Sequence, residues 1–272
     1  MTDLINKFTP ISLEQMSEVK LMNRTDTKFV TTTDRLYLLL KMALKDYYVQ
    51  EIDGVRNLPY DTTYFDTAEY DMYRQHLWNH TNRQKIRFRT YCISGLQFLE
   101  VKTKNNHGRT KKKRIEVADM NLHEQTKRDF LGKTLRYGVD SLIPHMNNSF
   151  RRITLVNKAK TERLTIDSSL HFLNLTNGKD MDMSNLVIIE LKRDGLICSP
   201  VLEMLRQLRI HPHGFSKYCM GAALTNPELP ANRFKEKLHY IEKMLSNDTT
   251  NYNTYNYGYH QFLTPRILQR TA

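Results

Sequence analysis

At several places along the chain, polar and apolar residues alternate with a period of two. This is the repeat of a β-strand whose two faces differ. In RQKIRFRTY, Arg83, Lys85, Arg87 and Arg89 fall on one face, and Ile86 and Phe88 on the other. In LQFLEVKTK, Glu100, Lys102 and Lys104 alternate with Leu99 and Val101. RTKKKRIEV puts Lys112, Arg114 and Glu116 together. The repeat recurs in NRTDTKFV (Arg24, Asp26, Lys28) and TERLTID (Arg163, Thr165, Asp167), and where Glu190 and Lys192 alternate with Ile189 and Leu191. Ser94-Gly95 and Asn105-Asn106-His107-Gly108 are turn-rich linkers, so the first three segments read as a meander.

Between such segments the spacing becomes helical. Helices are predicted over 11–22, from Thr33-Asp34 through LYLLLKMALKDYYV, and over about 68–78, 122–135, 200–208, 216–223 and 233–245. Strands are predicted over 24–31, 60–66, 84–91, 97–104, 109–117, 149–157, 161–167 and 186–193. The expected fold is α+β: an eight-stranded antiparallel β-barrel with helices packed outside. Residues 1–246 are expected to form one domain. Residues 247–272 include NDTTNYNTYNYGYH, and this Asn/Tyr-rich stretch is expected to be a poorly ordered tail.

Half-buried strands normally turn their polar face to water. Charge argues for a different arrangement here. The chain carries a net charge of +12, which implies an anionic partner. Residues 83–114 hold eleven basic residues and one acid, Glu100. Like charges on neighbouring strands repel unless an anion neutralises them. With helices over the apolar face, the charged face lines a lumen. Arg24, Lys28, Lys85, Arg87, Arg89, Lys102, Lys104, Lys112, Arg114, Arg163 and Lys192 are then candidates for binding a phosphate chain. Carboxylates among them, Glu100 and Glu190, suit Mn2+ or Mg2+. A nucleic-acid partner is not expected, because single strands need aromatics on the basic face and Phe88 alternates away from it.

No apolar run approaches the roughly 18 residues of a membrane helix. The N-terminal MTDLINKFTPISLEQ lacks the basic start and apolar run of a signal peptide. Cys92, Cys198 and Cys219 are too few and too scattered for a disulfide framework or a zinc site. A cytoplasmic protein is expected. Asp66 in YFDT suits a turn cap at least as well as a ligand, and Ser216 suits a helix N-cap. His211 and His213 lack a partner motif and read as a loop.

An ordered series of short motifs runs through the chain. It comprises RTDTKF at 24–29, TTYFDT at 62–67, KIRFR at 85–89, LEVKTK at 99–104, KKR at 112–114, FRR at 150–152, ERLTID at 162–167, IIELKRDG at 188–195 and FSKY at 215–218. In this series the chain resembles the VTC domain, a polyphosphate polymerase domain of the triphosphate tunnel (CYTH-like) superfamily, over about 24–223. The resemblance implies an eight-stranded tunnel with a charged interior. It implies transfer of the ATP γ-phosphate to a growing inorganic polyphosphate chain, with Mn2+ or Mg2+, as in stand-alone bacterial members. Lys28, Arg87, Arg89, Lys102, Lys112, Arg114, Arg152 and Lys217 correspond to phosphate ligands. Glu190 corresponds to the principal metal ligand, and Glu100 to a tunnel acid that assists it. FRRITL departs from the family pattern at Thr154 and Leu155, and of Arg151 and Arg152 the second fits the spacing. Two other readings stand beside the polymerase: a tunnel triphosphatase and a non-catalytic polyphosphate-binding protein. Arg24 stands at the first acid position of the E-x-E-x-K pattern typical of the hydrolases, which favours the polymerase.

Overall fold

In the computed structural model, residues 1–17, 24–106, 109–195 and 197–248 are described, without the side chains of residues 17, 24, 247 and 248. The strands are β1 (Thr9–Ile11), β2 (Arg24–Thr32), β3 (Tyr47–Gln50), β4 (Leu58–Thr67), β5 (Arg83–Tyr91), β6 (Gln97–Lys104), β7 (Thr110–Val117), β8 (Leu142–Asn157), β9 (Glu162–Asn174), β10 (Asp180–Met183) and β11 (Leu186–Asp194). The helices are α1 (Thr2–Ile5), α2 (Leu13–Ser17), α3 (Thr33–Ala43), α4 (Asp71–Leu77), α5 (Gln125–Thr134), α6 (Pro200–Gln207), α7 (Lys217–Thr225) and α8 (Lys235–Asp248). The tail predicted from the Asn/Tyr bias lies outside the described residues from 249 onward, as does the second half of the helix predicted over 11–22.

Eight strands run in the order β2-β11-β9-β8-β4-β5-β6-β7, each antiparallel to its neighbours. The fold is therefore α+β on an antiparallel sheet, as the alternation predicts. The hydrogen-bonded ladder does not close: among the described residues β2 and β7 end the path, and β2 takes one isolated bridge, Phe29 with Pro212. The sheet is nevertheless curled. Lys28 of β2 and Lys85 of β5 both reach the chain entering α7, where Lys28 Nζ donates to Phe215 O (3.4 Å) and Lys85 Nζ to Ser216 Oγ (2.7 Å).

Three further strands, β1, β3 and β10, lie off the main path. The helix predicted through LYLLLKMALKDYYV stops at Ala43, and Tyr47 starts β3 instead. Tyr47 is fully buried there, and β3 pairs with β8. Tertiary pairing overrides the helical spacing, as it readily does for aromatic and β-branched residues. β8 begins at Leu142, well before the predicted start. Its Pro144 sits beside a register shift opposite Tyr64 and Phe65, one of the few places a sheet tolerates proline.

Two apolar layers cover the sheet's outer face. Phe29, Ile153, Leu155, Leu164, Ile166, Ile189 and Leu191 pack on α1, α3 and α6. Ile86, Phe88, Leu99 and Val101 pack on Leu131 of α5. A third layer is internal. Val30, Ile188, Leu170 and Phe172 lie on the inner face toward one end and pack on α7 and α8. Gly221 of α7 permits this approach, since a Cβ there would stand 2.5 Å from a Phe172 ring carbon.

Candidate active site

The register lines up charged side chains in rows on the inner face. Arg87 stands opposite Tyr64 on β4 and Glu100 on β6, and Glu100 stands opposite Arg114 on β7. Arg87 grips one Glu100 oxygen through Nε (2.7 Å) and Nη2 (2.5 Å). Lys112 Nζ donates to the other oxygen at 3.0 Å. The Glu100 side chain is fully buried. Burial would raise its pKa, but Arg87, Arg89 and Lys112 reverse that and hold it well below the carboxylate range.

A second cluster joins β8, β9 and the first residue of α7. Arg152 forks onto Asp167, with Nε to Oδ1 at 2.6 Å and Nη2 to Oδ2 at 2.8 Å. Lys217 Nζ donates to the same Oδ2. Ser216 caps α7 by accepting from Cys219 N at 3.3 Å, so capping and the placement of Lys217 share one turn. Phe150, two residues before Arg152, lies beneath the cations. Lys217 Nζ stands 3.2 Å from its ring centroid, Arg152 Cζ 5.3 Å and Arg89 Cζ 5.7 Å. Burial pushes the Lys217 ammonium well below its usual pKa despite Asp167.

The third cluster comes from β2 and β11. Glu190 Oε2 accepts from Lys192 at 2.5 Å, and Oε1 lies 3.7 Å from Lys28. Burial raises the Glu190 pKa, and Lys192, Lys28 and Lys102 more than reverse the effect. Lys102 connects the clusters. Its pKa is driven far down, first by the charge of Arg87, then by burial and Arg89, with Glu190 and Glu100 opposing. Side chains of β5, β6 and β11 thus share one electrostatic environment.

Arg89 is 7% exposed, and among the described residues neither it nor Lys102 forms an ion pair with a carboxylate. The nearest partner of Arg89 Nε is the Thr62 hydroxyl at 3.4 Å. Burial, then Arg87 and Arg152, lowers its pKa to about 10. Taking a cation out of water with no carboxylate paired directly to it is costly, by an effective penalty of several kcal/mol per ion. An anion on the inner face would offset that cost.

A divalent cation fits this donor set through Glu190. Both Glu100 oxygens are engaged by cations in full burial, and both Asp167 oxygens are engaged by Arg152 and Lys217. Of the two carboxylates expected to hold a metal, Glu100 is thus the enclosed one, held by Arg87 and Lys112, and Glu190 the more open. Glu190 stays 24% exposed, with Oε1 beyond hydrogen-bond distance of Lys28. One carboxylate plus substrate phosphates and water is an ordinary environment for Mg2+. Among the described residues no group of three or more His, Cys, Asp or Glu could hold a metal without such help.

The remaining predicted positions divide. Lys85 is held by Ser216 Oγ beside the inner face. Arg163 stands opposite Lys192, whose pKa its charge helps to lower. Lys104 is half-buried opposite Arg83. Arg114 is exposed on β7 and stacks on Phe98, with Cζ 4.4 Å from the ring centroid. The Arg24 side chain lies outside the described residues. Arg151 is exposed and donates to Asn57 O at 3.4 Å, so Arg152 is the inward member of the pair. Asp66 is a cap: it accepts from the amides of Thr67, Met72 and Tyr73 and from Tyr218 Oη. His213 stacks on Tyr240. Sequence reasoning missed Phe150 and the bridging role of Asp167. The signal for the first was present, since Phe150 and Arg152 are two apart on one strand.

Comparison with solved structures returns matches of low identity. A Vibrio parahaemolyticus protein described as a candidate adenylate cyclase aligns at 11% identity and TM-score 0.46, covering 75% of this chain and 99% of its own. The PH1819 protein of Pyrococcus horikoshii aligns at 10% identity and TM-score 0.42, covering 72% and 97%. A Hippeastrum adenylyl cyclase candidate, described as having a dominant triphosphatase activity, aligns at 13% identity and TM-score 0.41, covering 74% and 96%. No curated protein sequence matches the chain. The VTC domain model matches residues 23–226, three-quarters of the chain and every described cluster of the inner face, and the chain belongs to that family.

Proposed function

We propose that this chain is a polyphosphate polymerase that transfers the γ-phosphate of ATP to the end of a growing polyphosphate chain. The observation that carries the reading is the pair of inward cations without carboxylates, Arg89 and Lys102, beside the matched clusters of Arg87, Arg152 and Lys217. Phosphoryl transfer depends mainly on positioning and on neutralising charge on the transferred group. In the proposed reaction a terminal oxygen of the chain attacks the γ-phosphorus. The bond to the β–γ bridging oxygen breaks, and ADP leaves. Arg87, Arg89 and Arg152 fork onto non-bridging oxygens, and Lys102 and Lys217 act as point charges. Glu190 would hold Mn2+ or Mg2+, which when bound would neutralise charge on the transferred phosphate.

The test is purified protein with ATP and Mn2+. Polymer on a polyphosphate stain with matching ADP is expected, and free phosphate without polymer would replace the polymerase with a hydrolase. One observation favours that second reading, a tunnel triphosphatase. α7 and α8 fill the inner face at one end, which restricts the ways out for a long product.

A further inference from the structure

A second basic feature lies on the opposite side of the sheet. Between the outer face of β6–β7 and the end of α5 there is a cleft of about 350 Å³. Lys111 and Lys113 of β7 line it, with Lys133 of α5 and Arg136 just beyond. Its floor includes Val101, Thr103 and Leu135, and no Asp or Glu lines it. All four cations are exposed, and among the described residues none forms an ion pair. The walls are fixed to each other through buried Gln84. Its Nε2 donates to Thr103 Oγ1 (2.9 Å) and Thr134 O (2.8 Å), and its Oε1 accepts from Arg136 N (2.9 Å). The carbonyl of Thr134, near the C-terminal end of α5, is therefore already taken.

β7 connects this cleft to the inner face. It is an edge of the strand path, and its residues alternate across the sheet. Lys112 and Arg114 point inward, where Lys112 reaches Glu100 and Arg114 packs on Phe98. Lys111 and Lys113 point outward into the cleft. Cations therefore line both faces of one free edge without a break. No aromatic side chain lines the cleft, so it offers no stacking surface for nucleic-acid bases.

We propose that the outer cleft binds a segment of the polyphosphate chain beyond the inner face, forming an anion track that crosses the β7 edge. The proposal rests on the polymerase reading and extends it. Lys111→Ser, Lys113→Ser and Lys133→Ser together remove three exposed lysines that take no part in the inner clusters. Binding of long-chain polyphosphate and of tripolyphosphate is measured for wild type and triple variant across a salt series. Long-chain affinity should fall at least tenfold in the variant, with a salt dependence shallower by roughly two to three charges. Tripolyphosphate affinity should hold. Unchanged long-chain affinity, or an equal loss for both ligands, overturns the track. Displacement of long-chain polyphosphate by single-stranded RNA at matched phosphate concentration overturns the choice of ligand. If wild type binds tripolyphosphate but neither makes nor binds long chains, the polymerase reading itself fails. If wild type makes polymer and the variant keeps long-chain affinity, only the track fails.

Discussion

In the proposed reaction, Glu190 is the residue that separates catalysis from binding. In that reading Arg87, Arg89, Arg152 and Lys217 would hold the phosphate chain, whereas Glu190, partly exposed and less enclosed than Glu100 and Asp167, would hold the metal. Glu190→Gln should cut metal-dependent turnover by about 10²-fold or more while tripolyphosphate affinity changes little. Turnover equal to wild type would remove Glu190 from the metal site. Asp167 plays a different part, because it neutralises two cations at once. Burial raises its pKa and Arg152 and Lys217 more than reverse that, so its folded value lies below the unfolded one. Such a group contributes stability above the unfolded carboxylate pKa, about 4, and the contribution is lost as pH falls through the folded value. Thermal melts between pH 5 and 3 should therefore show a smaller acid-induced fall in Tm for Asp167→Asn than for wild type. Equal falls would assign the acid sensitivity to other groups. At this scale the strands' lysines and arginines were legible because their partners alternate visibly. Asp167 was legible only as a member of a face, since its partners come from positions 152 and 217, far away in sequence.

Among the elements, α7 is the one whose placement matters most to the inner face. Lys217 opens it, Ser216 caps it, Tyr218 anchors it to Asp66, and Gly221 lets it lie against Phe172. Phe172 is fully buried, so its ring has little room to yield. Gly221→Ala should destabilise by about 1–3 kcal/mol, a Tm loss of about 2–10 °C. Phe172→Leu in that background should restore part of the loss, because the two positions share one contact. Additive losses would mean that the helix sits elsewhere. The helix was legible in the sequence from its cap and spacing, and the strands β5, β6 and β7 from strict alternation. β3 and the start of β8 were not. The first was hidden by a helical run that continues into Tyr47, and the second by Pro144 and the Asn147-Asn148 pair, residues that usually argue against a strand.

For the whole molecule, the ordering of strands could not be read from alternation. Period-two patterns assign faces, whereas ladder order depends on contacts between distant segments such as β2 with β11. What alternation did contain was the sidedness: apolar residues under α3, α5 and α6, charge within. The size of the product tests how the filled end acts. A polymerase should show a broad ladder of lengths in the ATP assay, and a hydrolase should show none.

β7 also bears on how copies of this protein behave together. A strand with one ladder partner offers an unpaired row of amides and carbonyls to any neighbour, a common route to sheet-to-sheet aggregation. Lys111, Lys112, Lys113 and Arg114 occupy four successive positions of that strand, so two copies approaching edge to edge meet strong repulsion. Colloidal solubility is thereby tied to the ionic surroundings. A polyanion that screens the edge would remove the barrier that keeps one sheet from extending into the next.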